Sequence, residues 1–281
     1  MLLMISLTGT STQSFGMNQE NNPLNMEKIR SGRELAVYIH EIQSNQCVFF
    51  IHGAGGRADQ WHHQINSLKD QYNIVTFDLL GHGRSPKPEE GYAFSDIMTD
   101  VEAVFTKYKH EHNYVIAHSY GVAFALPLAL KNEHNIQKLV LFGASTPRPT
   151  KQIGLWNLPV ILLEWIRPIF SKGFAKNAFH RQTDPELVNQ ERSISDKNPM
   201  YMMKALIKGM KEIPEMNVSK ISIPVLIING ASDGLTPVAG AKLLADKLPN
   251  AELEIVEKAA HLVMIEQPEH VNELIIKFIQ Q

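Results

Sequence analysis

Ser119, Asp233 and His261 are the residues of this sequence whose types and order could together perform nucleophilic catalysis. A serine hydroxyl becomes a useful nucleophile when a histidine accepts its proton and a carboxylate holds that histidine in the correct tautomer. Ser119 lies in the stretch 117–121 (AHSYG), between an apolar β-branched run and a helical pattern, as the nucleophile-elbow motif requires. For so short a motif taken alone, the alternative is an ordinary buried serine.

The acid and the base of the candidate triad follow two later strand patterns. Asp233 lies in the loop 230–237 (GASDGLTP), after a continuous apolar run that is typical of a buried strand. Its alternative role is turn formation or helix capping, but the loop 143–146 (GAST) after the preceding strand offers no competing carboxylate. His261 follows the last predicted strand and precedes a closing amphipathic segment. The chain order Ser, Asp, His is the order that the nucleophile-elbow fold uses.

A glycine-rich stretch, 52–56 (HGAGG), follows an early apolar strand pattern. Glycines let the backbone approach a bound carbonyl, and N–H groups from such a loop and from the residue after the nucleophile stabilise a tetrahedral oxyanion. We assign these donors to Ala54 and Tyr120. Three neighbouring histidines are predicted to brace loops rather than to transfer protons: His52, His82 and His118.

Strand and helix patterns alternate along the chain and so position these loops. Strands are predicted at 35–39, 47–51, 114–116, 138–142, 225–229 and 252–256, and helices at 60–69, 94–108, 122–130, 238–248 and 268–279. This alternation predicts an α/β protein with a mostly parallel sheet and helices on both faces. Open α/β sheets place their ligands at the carboxyl ends of the strands, where all three triad candidates lie.

From residue 26 to residue 281 the sequence resembles the α/β-hydrolase superfamily. The resemblance rests on the glycine-rich loop, the stretch 78–85 (DLLGHGRS), the elbow and the loops of Asp233 and His261, in that order. Ala117 and Ala260 stand where the superfamily usually has glycine, which crowds the elbow slightly. The resemblance implies an α/β-hydrolase fold and serine hydrolase chemistry without a cofactor.

The same resemblance argues against three other chemistries. Haloalkane dehalogenases and epoxide hydrolases carry an aspartate at the position of Ser119. The related acyltransferase motif has an aspartate where this chain has Glu266. A carboxylic ester hydrolase of the carboxylesterase or lipase type is therefore the leading prediction. Thioester, amide or carbon–carbon bond hydrolysis would use the same residues, and a non-catalytic binding protein of the same fold is the alternative class.

The segment 146–217 breaks the alternation of strands and helices and is predicted to form a helical cap over the core segments 26–145 and 218–281. Its apolar run 158–166 is too short to span a bilayer. We predict that Trp156 and Trp165 bind the acyl part of a lipid-like substrate. One alternative is that they pack on the core. Another is peripheral membrane contact through the cap, because residues 148–181 carry six bases against one acid.

Composition excludes several other classes of protein. The net charge of -2 gives no reason to expect nucleic acid as a partner, so a small acyl substrate is expected. The single cysteine, Cys47, lies in an apolar strand pattern, and no cluster of metal-ligand type is apparent, so no metal is expected. Residues 1–25 are predicted to be a disordered lead-in. The apolar start at 1–7 lacks the positive charge of a signal peptide, which favours a cytoplasmic location.

Overall fold

The computed structural model describes residues 25–149 and 154–281, and its centre is one eight-stranded sheet. The strands are β1 Asn25–Arg30, β2 Arg33–His40, β3 Gln46–Ile51, β4 Asn73–Phe77, β5 His112–His118, β6 Ile136–Phe142, β7 Val225–Gly230 and β8 Ala251–Val256. Their order across the sheet is β1-β2-β4-β3-β5-β6-β7-β8. β2 runs antiparallel to β1 and β4, whereas all pairings from β4 to β8 are parallel.

The central strands are mostly apolar and buried because helices cover both of their faces. Within the described residues the α-helices are α1 His62–Leu68, α2 Phe94–Tyr108, α3 Val122–Lys131, α4 Val160–Ala178, α5 Pro185–Ser195, α6 Met200–Gly209, α7 Val238–Ala245, α8 Val263–Glu266 and α9 Pro268–Gln280. Helices α2, α3 and α7 pack on one face of the sheet, and α1, α8 and α9 pack on the other. The predicted α/β class, with a mostly parallel sheet between two helical layers, is confirmed.

The boundaries differ from the sequence prediction mainly at the edges. The strand β1 was not predicted, because its sequence NMEKIR is polar and half of its residues are exposed at the sheet edge. The predicted helix 60–69 begins instead as a 3-10 turn, Ala58–Trp61, before α1. The predicted lead-in 1–25 lies outside the described residues except for Asn25, which is the first residue of β1.

Three helices, α4, α5 and α6, lie between β6 and β7, in the segment for which a cap is predicted. They are tied to the core by side-chain hydrogen bonds, among them one from the Tyr201 hydroxyl on α6 to the carbonyl of Lys87 at 2.7 Å. In the described part of the chain, no helix combines the length and the apolar character that crossing a bilayer requires.

Candidate active site

Ser119 occupies a sharp turn between β5 and α3. Its φ is 52°, in the left-handed region that a serine rarely adopts, and a 3-10 turn, Ser119–Gly121, leads directly into α3. A side chain at Gly121 would place its Cβ 2.5 Å from the carbonyl oxygen of Ile51 on the neighbouring strand. Only glycine therefore lets the helix pass so close to β3. Ala117, on the other side of the turn, is fully buried in the core with its extra methyl group.

Asp233 and His261 meet at the carboxyl ends of β7 and β8. The His261 Nδ1 lies 2.9 Å from Asp233 Oδ2, and Asp233 Oδ1 accepts hydrogen bonds from the backbone N–H groups of Leu235 and Thr236, both at 2.8 Å. Burial opposes the ionisation of Asp233, but the hydrogen bonds from His261 and Thr236 outweigh it and hold the pKa of this carboxyl below its ordinary value. The Asp233 carboxyl is therefore an anion bound to Nδ1 of His261.

Thr236 is a member of this network that sequence reasoning missed. Its hydroxyl donates to Asp233 Oδ2 at 2.7 Å and lies 3.1 Å from His261 Nδ1. A threonine in the acid's own loop carries no sequence signal beyond its position three residues after Asp233. The hydroxyl thus holds Oδ2, whereas the backbone N–H groups hold Oδ1.

Two further side chains hold the His261 loop. Glu266 accepts hydrogen bonds from the backbone N–H of Ala260 and from that of His180 in the cap, both at 2.7 Å, and from the Thr183 hydroxyl. His118 Nε2 donates to the carbonyl of His261 at 2.9 Å. Sequence reasoning considered Glu266 only for acyltransferase chemistry, whereas the structure gives this carboxylate a bracing role between the cap and the loop of the base.

The glycine-rich loop after β3 is braced by neutral histidines, as the sequence predicts. His52 Nε2 accepts from the Leu79 N–H at 2.9 Å, and His82 Nε2 accepts from the Gly55 N–H at 3.0 Å. Burial lowers the pKa of His52 to about 4 and that of His82 to about 3. Each ring therefore stays neutral and keeps the acceptor nitrogen that these loops need.

Of the two residues assigned to the oxyanion hole, Ala54 and Tyr120, only the first lines the cavity into which Ser119 opens. Tyr120 is the buried second residue of the 3-10 turn that begins at Ser119. An N–H at the start of a helix has no preceding turn to donate to, and the helix dipole favours negative charge there. A side chain at Gly53 would place its Cβ 3.0 Å from Ser119 Cβ, which explains why the loop needs glycine beside the nucleophile.

Ser119 and His261 open into one cavity of about 310 Å³, which continues into an outer cavity of about 360 Å³ beneath the cap. Trp156 lines both cavities and stacks on Phe170 of α4, with the ring centroids 5.2 Å apart. Other residues that line both are Ala54, Gly55, Phe174, Ser195, Met203 and Leu235. The structure therefore places Trp156, one of the two predicted substrate-binding residues, at the junction of the cavities.

Trp165, the other predicted substrate-binding residue, lies elsewhere. Its side chain is 80% exposed on α4, and it lines neither of these cavities. The assignment of Trp165 to the acyl site is corrected by this placement. The physical reason is the helical phase, since α4 turns Leu163 into the protein and Trp165, two residues later, toward solvent.

The cap contacts the glycine-rich loop directly through polar groups. Arg57 donates to both carboxylate oxygens of Glu191 on α5, each at 2.9 Å, and Asn198 Nδ2 donates to the carbonyl of Gly55 at 3.1 Å. No sequence motif signals these links. Over residues 25–149 and 154–281, no group of three or more His, Cys, Asp or Glu side chains is arranged to hold a metal ion.

Comparison with known proteins places this site in context. The family model described as serine aminopeptidase, S33 (Hydrolase_4), matches residues 42–268. Protein ABHD8 of Mus musculus is 31% identical over 244 residues, which cover 84% of this chain and 56% of that protein. The AB hydrolase superfamily protein YisY of Bacillus subtilis (strain 168) is 26% identical over 264 residues, which cover 89% of this chain and 97% of that protein. The chain thus spans little more than half the length of the ABHD8 proteins that it matches.

Solved structures share the fold. An esterase (EaEST) from Exiguobacterium antarcticum superposes with a TM-score of 0.75 at 23% identity, covering 88% of this chain and 97% of that chain. A hydrolase from Pseudomonas aeruginosa PA01 superposes with a TM-score of 0.79 at 20% identity, covering 94% of this chain and 100% of that chain. The predicted α/β-hydrolase fold is confirmed. The likeness to ABHD8 is confirmed too. In the sequence it rests on the stretches 117–122 (AHSYGV) and 262–266 (LVMIE) and on the cap stretch from 156–159 (WNLP) to 173–175 (GFA).

Proposed function

The chain belongs to the α/β-hydrolase family that the serine aminopeptidase S33 model describes, and we propose that it hydrolyses carboxylic esters through Ser119, His261 and Asp233. The observation that carries the proposal is the arrangement of these residues. Ser119 stands on a strained turn in the same cavity as His261, and Asp233 binds the far side of the imidazole.

In the proposed reaction, Ser119 Oγ attacks the ester carbonyl carbon while its proton passes to His261 Nε2. The N–H groups of Ala54 and Tyr120 stabilise the oxyanion, and Asp233 stabilises the imidazolium. The leaving alcohol takes the proton from His261, and the acyl group remains on Ser119. A water molecule then gives its proton to His261 and attacks the acyl carbon. The bond between the acyl carbon and Ser119 Oγ breaks, His261 returns the proton to Oγ, and the carboxylic acid leaves.

The cavities favour a substrate with a medium or long apolar acyl chain. The surface of the outer cavity is mostly apolar, with contributions from Ile169, Phe170, Phe174, Met200 and Met203. Each buried methylene contributes about 0.8 kcal/mol, so binding should strengthen with chain length until the space is filled. The structural neighbour EaEST is an esterase, which supports ester hydrolysis as the proposed reaction.

The catalytic cavity is less suited to bind a substrate with a free amino terminus. Such an amine would need a free carboxylate near the nucleophile, and the buried carboxylate that lines the catalytic cavity, Glu191, is bound to Arg57 at both of its oxygens. This ion pair favours an ester over an aminopeptidase substrate.

The test combines a fluorophosphonate probe with a series of p-nitrophenyl esters of increasing acyl length. The wild-type protein should be labelled and hydrolyse the esters, whereas Ser119→Ala should lose labelling and several orders of magnitude of turnover. Ser195→Ala is the matched control, because Ser195 lines the same cavity but has no histidine partner in the described residues. Labelling that persists in Ser119→Ala, or a wild-type protein inert toward probe and esters, would overturn the proposal and favour a binding protein.

A further inference from the structure

The outward face of α4 is apolar along its first half. At 100° per residue, Ile161, Leu162, Trp165 and Ile169 fall on one stripe of the helix. Their exposed fractions are 78%, 43%, 80% and 72% in that order. The opposite side of α4 carries the residues that pack inward, Leu163 and Ala178 among them. The stripe is therefore a second, apolar face of the helix, and no part of the chain that the structure describes covers it.

This apolar exposure is concentrated in the cap. Of the eight large hydrophobic side chains exposed in the described residues, five belong to α4 and the turn before it, where Leu155 is 56% exposed. Contiguous exposed apolar surface on a folded domain marks an interaction site, whereas single exposed residues need no explanation. The concentration points to a partner for this surface.

Positive charge continues the same stripe. Lys172 and Lys176 follow Ile169 at helical spacing and are both exposed. The one acid of α4, Glu164, is held by Arg167 through two hydrogen bonds of 2.9 and 2.6 Å. The outward face, which we call the cap face (Ile161, Leu162, Trp165, Ile169, Lys172 and Lys176), thus has apolar groups and two unbalanced positive charges, on a protein whose net charge is -2.

We propose that the cap face binds the surface of a bilayer that contains anionic phospholipid. Tryptophan and isoleucine side chains enter the boundary between headgroups and acyl chains, while lysines reach the anionic headgroups. From Ile161 to Lys176 the face is about 22 Å long at 1.5 Å per residue, which suits a helix that lies on the membrane. A second copy of the same face would bring these lysines no carboxylate, so a lipid surface fits the charge better than self-association.

The outer cavity lies next to the cap face, which connects membrane docking with access to the catalytic cavity. Ile169, Gly173 and Asn177 lie along one edge of the cap face and also line the outer cavity. A membrane under the cap face would therefore adjoin the cavity that leads to Ser119. This docking extends the proposed esterase function, and the binding itself does not depend on catalysis.

The first experiment measures co-sedimentation with phosphatidylcholine vesicles, with and without about 30% phosphatidylserine. The wild-type protein should bind the anionic vesicles, and Ile161→Glu/Trp165→Glu should lower the partition coefficient by about tenfold or more. Lys172→Glu/Lys176→Glu should remove the preference for phosphatidylserine. The matched control is Lys242→Glu/Leu243→Glu on α7, where Leu243 is 61% exposed beside an exposed lysine but outside the cap; it should bind like wild type.

The second experiment uses tryptophan fluorescence, because the chain has three tryptophans in different environments. Trp61 is buried and Trp156 is stacked in the cavity, so Trp165 is the exposed reporter. Brominated phosphatidylcholine in the anionic vesicles should quench part of the emission of the wild-type protein. Trp165→Phe should lose that quenching and still co-sediment, since phenylalanine keeps the apolar contact.

Several results would overturn the membrane proposal. One is the absence of binding to anionic vesicles, and another is equal binding by Ile161→Glu/Trp165→Glu and the wild-type protein. A third is a dimer in size-exclusion chromatography that this double variant converts to monomer without any vesicle binding, which would make the cap face an interface between copies. Ser119→Ala should bind vesicles like the wild-type protein. Vesicle binding therefore tests the membrane proposal, and ester hydrolysis tests the esterase proposal, independently of each other.

Discussion

Arg57 and Glu191 form a two-point ion pair, with Nη1–Oε2 and Nη2–Oε1 distances of 2.9 Å each. Arg57 follows the glycine-rich loop that carries Ala54, and Glu191 lies on α5 of the cap. Both side chains are largely buried. Paired N–H donors in a fixed plane hold a carboxylate in one orientation, so the position of the cap and the position of the oxyanion loop are mechanically joined.

The first prediction concerns that pair. Glu191→Leu leaves the buried Arg57 guanidinium without its main partner, which should lower the free energy of unfolding by about 3–5 kcal/mol. Arg57→Leu/Glu191→Leu should recover part of that stability, because the buried guanidinium is gone and the carboxylate that loses its ion pair, that of Asp59, is partly exposed to solvent. Both variants should lose about tenfold in kcat/KM, since the oxyanion loop is no longer tied to the cap.

Urea unfolding and ester hydrolysis measure the two effects of this prediction separately. Glu186→Leu serves as control, because Glu186 is an exposed acid on the same helix. If Glu191→Leu matched the control in both stability and activity, the ion pair would have no role in holding the loop.

A second prediction separates the orienting carboxylate from its support. Asp233→Asn should lower turnover by about four orders of magnitude, because an amide favours the wrong tautomer of His261. Thr236→Val removes one hydroxyl that donates to the carboxylate and should cost about tenfold, the equivalent of one hydrogen bond. Steady-state kinetics on one ester, with melting temperatures to verify folding, measure both. Full activity of Asp233→Asn would show that a residue other than Asp233 orients His261.

The third prediction distinguishes the two cap tryptophans. Trp156→Ala should lower kcat/KM more for long acyl esters than for acetate esters, because Trp156 lines both cavities. Trp165→Ala should leave the chain-length profile of soluble esters unchanged, because its side chain faces solvent. Equal losses on short and long esters in Trp156→Ala would assign that residue to packing alone.

The fourth prediction is a pH dependence of stability. Burial lowers the pKa of His52 to about 4 and that of His82 to about 3 from the value of 6.5. The unfolded chain then binds more protons than the folded chain at any pH between those values and 6.5. The free energy of unfolding should therefore fall as the pH drops below about 6.5, by about 1.4 kcal/mol per pH unit for each histidine.

His82→Gln tests this slope, since glutamine keeps an acceptor for the Gly55 N–H and removes one titrating group. Urea unfolding between pH 7 and pH 4.5 gives the slope of the free energy of unfolding against pH. In the variant this slope should be shallower than in the wild-type protein by the contribution of one proton, about 1.4 kcal/mol per pH unit. An unchanged slope in the variant would show that His82 is protonated in the folded protein.

The sequence predicts the central strands well because burial on both faces leaves a continuous apolar run. Residues 47–51 and 225–229 are predicted as strands, and the structure gives Gln46–Ile51 and Val225–Gly230. The same topology brings the loops of Asp233 and His261 together, since they follow neighbouring parallel strands. The edge strand β1 escapes prediction because it is paired on one side only and its residues are polar.

The rest of the site depends on tertiary packing that local patterns do not encode. Arg57 and Glu191 are 134 positions apart in the chain, and neither belongs to a motif. The apolar run 158–166 has no clear period, so it could not indicate that Leu163 faces inward and Trp165 outward. The catalytic roles of Ser119, Asp233 and His261 stay predictions that the kinetic tests above address.

The left-handed backbone at Ser119 has a consequence for the evolution of this chain. A serine at φ 52° carries an energetic burden of about 1–3 kcal/mol that glycine would not. Folding considered alone would thus reward Ser119→Gly, and a lineage released from selection for catalysis would drift toward it. At the proposed nucleophile, therefore, stability favours glycine whereas activity requires serine.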